Sequence, residues 1–164
     1  MEDLIILARH LGQVLQERGW MLATAESCTG GGIAQVITEN AGSSAYFERG
    51  FVTYSNAAKM QLLAVPEDLL QRHGAVSEQV AAAMAEGALA HSQAQLALST
   101  TGIAGPGGAQ PGKPVGTVCF GWATHAATHT QTLVFDGDRQ AVRRQSIVHA
   151  LQGALRLLNA SPDP

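Results

Sequence analysis

Thr24-Ala25-Glu26-Ser27-Cys28-Thr29-Gly30-Gly31 joins two segments of different periodicity. Before it, Trp20 to Ala25 reads as a short strand. After it, Ile33, Ala34, Val36 and Ile37 recur at helical spacing. Strand, glycine-rich turn and helix in that order is a building unit of α/β folds. The turn is also chemically suggestive. It leaves unpaired backbone N–H groups at a helix start, where donors and helix dipole together can hold an anion or an oxyanion. Three candidate nucleophiles stand there in a row: Ser27, Cys28 and Thr29. The residues alone do not choose among them. Local pattern favours the simpler role in which Ser27 or Thr29 only caps the helix. No G-x-S-x-G elbow is present, so the hydrolase fold of that name is not implied.

Outward from this turn, residues 4–18 form an amphipathic pattern ended by Gly19, and Gly50 to Tyr54 reads as a second strand. Ser55 or Asn56 caps a helix containing Lys59. Pro66 opens another that Gly74 ends, and Ser77 caps an alanine-rich helix through about His91 whose small residues suit close packing on a sheet. Gln95 to Thr101 reads as a third strand. Residues 102–114 are too rich in glycine and proline for regular structure. Val115 to Thr124 and Thr128 to Phe135 read as a hairpin or meander, and Asp138 caps a last helix to about Leu158. Helices alternate with strands at first and two strands adjoin near the end. The expectation is one domain over residues 1–164, a three-layer α/β/α sandwich with a mixed sheet, with the tail 160–164 frayed.

Composition narrows the partners. The chain has 164 residues, 46% hydrophobic and 14% charged, with a net charge of -3. That balance fits a packed core and excludes a disordered chain. It also provides no general attraction to nucleic acid or anionic lipid. No apolar run reaches membrane-spanning length. Two cysteines, Cys28 and Cys119, make no disulfide framework, and no signal peptide precedes the first helix. A cytoplasmic protein is expected.

Other motifs carry weaker signals. Lys59 and Lys113 are the only lysines, so the search for an amine base is short. A lysine can act as a base once burial, nearby cations or a helix N-terminus lowers its pKa; otherwise it is a solvated surface residue. The six histidines sit in no role-specifying motif, and neither cysteine has metal-ligand spacing, so no metal is expected. Gly107, Gly112 and Lys113 mimic the start of a phosphate-binding P-loop. Pro114 then stands where Ser or Thr is needed, and a strand follows instead of a helix, which excludes that reading. Glycines in the loop can still bring backbone close to a phosphate or ribose. Asp136-Gly137-Asp138-Arg139, with Arg143-Arg144, could bring one guanidinium to a phosphate. Arg143 and Arg144 diverge by about 100° on a helix, so at most one reaches a given ligand. A solvated charged face is the plain alternative.

Taken together these segments are specific. Ala25-Glu26-Ser27-Cys28-Thr29-Gly30-Gly31, Gly50 to Asn56 followed by Lys59, Gly74 to Glu78, Thr101 to Gly108, Lys113 to Val118 and Gly137-Asp138-Arg139 with Val142-Arg143 occur in this order. The chain resembles the CinA C-terminal domain family, the nicotinamide-nucleotide amidases, over nearly its whole length, and looks like the stand-alone form. The resemblance implies the α/β/α sandwich again. It also implies conversion of nicotinamide mononucleotide and water to nicotinate mononucleotide and ammonia, without metal or cofactor, through a serine–lysine pair. Ser27 matches the nucleophile and Lys59 the base; Tyr54 and Thr101 match positions near the reacting groups.

On this expectation, N–H groups around Cys28, Thr29, Gly30 and Gly31 hold the oxyanion, with Thr101 as a further donor. Gly102, Ala104 and Gly105, with Arg143 or Arg144, hold the ribose phosphate. Glu26 steadies Lys59 or the cationic ring, or is simply a polar residue at a strand end. The spacer Ala109 to Gly112 carries over least. A small-molecule nucleotide substrate is expected, and the alanine-rich faces and the habit of the family predict a homodimer. Two other readings stay open on the residues: a catalytically idle nucleotide-binding module, and an amidase for another pyridine carboxamide.

Overall fold

The computed structural model describes residues 1–160. Five strands form one sheet in the order β2-β1-β3-β4-β5. They are β1 (Leu22–Glu26), β2 (Phe47–Val52), β3 (Leu96–Gly102), β4 (Thr117–Thr124) and β5 (Thr128–Val134). β1 lies parallel to both β2 and β3, whereas β4 and β5 run antiparallel, so the sheet is mixed. Helices α1 (Glu2–Arg18), α2 (Gly32–Thr38) and α6 (Arg139–Ala160) cover one face. Helices α3 (Asn56–Leu63), α4 (Glu67–His73) and α5 (Glu78–Ala90) cover the other. This is the expected three-layer sandwich.

The two faces differ in side-chain size, and strand alternation explains how. Leu22, Leu96, Leu98, Val118, Phe120 and Trp122 point to the α1/α2/α6 face, where they meet large apolar residues such as Leu11, Ile33 and Leu151. The opposite positions are small: Ala23, Ala25, Ala97, Gly121 and Ala123. There α5 comes close enough that a Cβ on Gly121 would lie 2.5 Å from the Ala81 carbonyl oxygen. Ala81, Ala85 and Ala88 of α5 are fully buried. These three alanines are thus turned inward onto the sheet, whereas Ala82 and Ala83 are half-buried and Ala90 is exposed.

Local signals set most boundaries. Gly19 ends α1 in the left-handed conformation (φ 68°). The Ser55 hydroxyl accepts from Ala58 N–H and starts α3, and Ser77 does the same for α5 through Val80 N–H. Asp138 accepts from Ala141 N–H at 2.9 Å at the start of α6. Strand β2 is displaced from the expected Gly50–Tyr54. Its register is set by β1, and pairing runs from Leu22 with Phe47 to Glu26 with Val52. Where β1 stops, β2 stops, and Tyr54 lies past the strand end. Strand β4 starts at Thr117 because Gly116 (φ 95°) turns the chain just before it. Ala160, expected to fray, closes α6; the rest of that tail, 161–164, lies outside the described residues.

The α3–α5 crossing fixes the helix that carries Lys59. Gly87 on α5 sits directly against the Leu63 carbonyl at the end of α3, and a Cβ there would collide with backbone. Gly87→Ala is expected to destabilise the protein by about 1–3 kcal/mol, since the better helix propensity of alanine offsets only part of the overpacking. Urea unfolding of the two proteins checks this. Equal or greater stability in the variant would show that the helices separate without cost.

Candidate active site

Parallel strands β1, β2 and β3 all end on the same edge of the sheet. From β1 the chain leaves over one face through α2, and it returns to β3 over the other face through α5. The crevice between the carboxyl ends of β1 and β3 is thus a topological switch point, the usual ligand site of open α/β sheets. A cavity of about 280 Å³ lies there, lined by Ser27, Lys59, Thr101, Gly105 and Arg139 among others. A larger groove of about 610 Å³ runs along Trp122 and Arg156, where no nucleophile–base pair is found.

Ser27 and Lys59 meet in the cavity. Lys59 Nζ lies 2.9 Å from Ser27 Oγ, 2.8 Å from the Thr53 carbonyl oxygen and 3.2 Å from that of Tyr54. Lys59 is 1% exposed and Ser27 8%. Burial lowers the Lys59 pKa from 10.5 to about 8. Desolvation of the charged form is the leading cause. A neutral amine has two N–H donors and one lone pair. The protonated amine donates to Ser27 Oγ as well, and the Ser27 hydroxyl has the Tyr54 carbonyl at 3.5 Å as acceptor. In the neutral amine, Thr53 and Tyr54 can accept both hydrogens and leave the lone pair for the Ser27 hydroxyl, the orientation a general base needs.

The neighbours of Ser27 are differently engaged. Cys28 is buried, and burial pushes its thiol up to about 12. Thr29 is fully buried, its hydroxyl 2.6 Å from Glu26 Oε1 and 2.8 Å from Thr100 Oγ1. Neither Ser27 nor Thr29 caps α2. Glu26 does, accepting from Ile33 N–H at 2.8 Å and Ala34 N–H at 3.1 Å. Glu26 is fully buried, and burial raises its pKa against these hydrogen bonds. It therefore touches neither Lys59 nor the cavity, contrary to expectation. Donors at the helix start proper are taken by its carboxylate. In the turn before the helix, no backbone carbonyl of the described residues accepts from the N–H of Cys28 or Thr29, and the Cys28 N–H meets its own thiol. Gly30 N–H is bonded to the Ser27 carbonyl at 3.0 Å. Gly30 and Gly31 make the turn with φ of 60° and 94°, values that glycine adopts without strain.

Other expected site residues fall in varied places. Thr101, Gly102, Ala104 and Gly105 line the cavity. The Thr101 hydroxyl donates to the Ala75 carbonyl at 2.8 Å, so its hydrogen is not directed at an oxyanion. Tyr54 meets Lys59 only through its carbonyl. Its side chain is 62% exposed, and its hydroxyl takes a hydrogen bond from Arg139 Nη2 at 3.0 Å. Arg144 reaches away from the site to Asp3, at 2.5 Å. Arg143 also stays out of the cavity lining and instead donates to the Cys28 and Thr29 carbonyls, each at 3.2 Å. The arginine that does line the cavity is Arg139, whose Nη1 holds the Gly105 carbonyl at 2.9 Å. Its motif is the one expected to supply a guanidinium, but the two expected members, Arg143 and Arg144, are not among the residues lining the cavity. The available signal was that Asp138 caps the helix, which puts Arg139 in the first turn and nearest the strand ends.

Among the described residues, no group of three or more His, Cys, Asp and Glu side chains could hold a metal ion. No helix among them is long and apolar enough to cross a membrane.

Fold and site together define a three-layer α/β/α protein with a serine–lysine pair at the carboxyl edge of its parallel strands. The chain belongs to the CinA C-terminal domain family, which matches residues 5–158. It is 55% identical over 151 residues to nicotinamide-nucleotide amidohydrolase PncC of Escherichia coli K12, covering 92% of each chain. It is 54% identical over 161 residues to a competence-damage inducible protein of Symbiobacterium thermophilum. There the match takes in 93% of this chain but 38% of that longer one. A solved structure of the competence/damage inducible protein CihA from Agrobacterium tumefaciens superposes with a TM-score of 0.91 at 44% identity, covering 96% of both chains.

Proposed function

We propose that the protein hydrolyses the carboxamide of nicotinamide mononucleotide, giving nicotinate mononucleotide and ammonia. The observation that carries this reading is the 2.9 Å contact between Lys59 Nζ and Ser27 Oγ, with the other two amine contacts both carbonyls. The amidohydrolase relatives supply the substrate; the pair supplies the chemistry.

Lys59, neutral, takes the Ser27 proton as Oγ attacks the carboxamide carbon. The pyridinium ring makes that carbon electrophilic. The developing oxyanion is met by turn N–H groups, with Cys28 N–H as the main donor. Lys59 returns its proton to the departing nitrogen, and ammonia leaves an ester on Ser27. Water then attacks that ester, Lys59 takes the water proton and hands it back to Ser27 Oγ, and the carboxylate product is released.

Arg139 is the phosphate-binding residue in this reading. It is the cationic side chain on the cavity wall besides Lys59, and its guanidinium lies beside the Gly105 backbone. Arg139→Ala is expected to raise KM for nicotinamide mononucleotide at least about tenfold, the loss of one charge-assisted contact, and to leave the reaction of nicotinamide riboside nearly unchanged. Steady-state assays of ammonia release with both substrates test this. Absence of nicotinate mononucleotide after incubation of the wild-type protein would refute the substrate itself, and equal effects on both substrates would refute the role of Arg139.

A further inference from the structure

We propose that Arg143 is a positioning residue that orients the peptide planes of the nucleophile turn and so aims the Cys28 N–H at the oxyanion. The inference rests on the reading of Ser27 as nucleophile.

The guanidinium spans two successive carbonyls. Nε donates to Cys28 O and Nη2 to Thr29 O, each at 3.2 Å. This is the use to which a rigid, multi-donor fork is suited and a single ammonium is not. A trans peptide carries its C=O and N–H on opposite edges of one plane. Holding the Thr29 carbonyl therefore turns the Gly30 N–H the other way, and that N–H donates to the Ser27 carbonyl at 3.0 Å. Holding the Ser27 carbonyl turns the Cys28 N–H away in its turn. Ser27 and Cys28 both line the cavity, and no backbone carbonyl of the described residues accepts from Cys28 N. Two steps of peptide geometry thus connect the guanidinium to the donor next to the nucleophile.

Glycine at position 30 is part of the device. A Cβ there would come within 3.2 Å of Arg143 Nη2, so any other residue would push against the fork. Glu26 braces the same turn from its other side through Thr29 Oγ1 and the start of α2. Arg143 sits in the second turn of α6, four residues after Arg139 on the same helix face. One helix would thereby present one arginine to the cavity and one to the turn beneath it.

The competing role is phosphate binding, and kinetics separate the two. Arg143→Ala is expected to lower kcat for nicotinamide mononucleotide by roughly 10–100-fold, somewhat less than outright loss of an oxyanion donor, and to change KM by less than about threefold. The riboside should lose kcat in the same proportion. Arg143→Lys should recover only part, because one ammonium cannot span both carbonyls. A second readout needs no nucleotide. A fluorophosphonate probe forms a phosphorus–oxygen bond to Ser27 as fluoride leaves and Lys59 takes the proton, and its labelling rate, followed by mass spectrometry, should fall in step with kcat.

A normal kcat with KM raised tenfold or more in Arg143→Ala would overturn the proposal. So would Arg143→Lys with wild-type kcat and labelling; this variant decides the matter if circular dichroism shows that Arg143→Ala does not fold. Wild-type protein that ignores nicotinamide mononucleotide but labels at Ser27 in an Arg143-dependent way would refute the substrate and support the inference. Wild-type protein that does neither would refute both.

Discussion

Ser27→Ala is expected to lower ammonia release from nicotinamide mononucleotide by at least about a thousandfold, as loss of a covalent nucleophile does, whereas Cys28→Ala keeps most of it. The contrast is sharp because the two residues are adjacent and a thiol is intrinsically the better nucleophile. Environment reverses that order. The Cys28 thiol, pushed up to about 12 by burial, holds a negligible thiolate fraction at neutral pH. Ser27 Oγ lies within hydrogen-bonding distance of the one buried amine. Thr29 is excluded by its bond to Glu26 and its complete burial. Product analysis by chromatography, with folding checked by circular dichroism, decides the matter. An active Ser27→Ala beside a dead Cys28→Ala would overturn the assignment.

The second large effect concerns pH. With the Lys59 pKa lowered to about 8, the neutral base is the minor form at pH 7 and the major form above 8. The logarithm of kcat/KM should rise with a slope near one below pH 8 and level off above it. Lys59→Arg should be inactive at every pH, because guanidinium does not give up its proton in this range; full activity in that variant would exclude a neutral amine base. Stability follows the same ionisation. Between pH 8 and 10.5 the unfolded chain binds the Lys59 proton and the folded chain does not. Wild-type stability relative to Lys59→Met should therefore rise with pH across that window and be lost as pH falls through 8. Urea unfolding of both proteins at several pH values measures the difference.

Much of the fold was readable because its signals are local. Gly19, Ser55, Ser77 and Asp138 act within a few residues of where they stand, and each ends or starts the helix expected of it. The alternation of large and small residues on β3 and β4 is likewise a short-range pattern. The errors have a common origin. The expected β2 starts three residues late and ends two late because an edge strand takes its limits from its neighbour, and Glu48 and Arg49 carry no apolar signal. Glu26 was assigned to the substrate because its polar type is visible in the sequence, while its orientation toward α2 is not.

Side-chain chemistry and order along the chain thus identified a helix-start turn with three candidate nucleophiles, one scarce lysine and an arginine-bearing last helix, and the assembled motifs singled out Ser27 and Lys59. Folding alone made them a pair. Lys59 comes from 32 residues away to meet Ser27, Arg139 from 85 residues away to meet Tyr54, and Arg143 from 115 residues away to meet Cys28. A residue type tells what a group can do, but its pKa, its partner and the direction of its lone pair depend on what surrounds it. Those surroundings are assembled where Lys59 of α3 and Arg143 of α6 meet the turn that follows β1, which no short stretch of the chain contains.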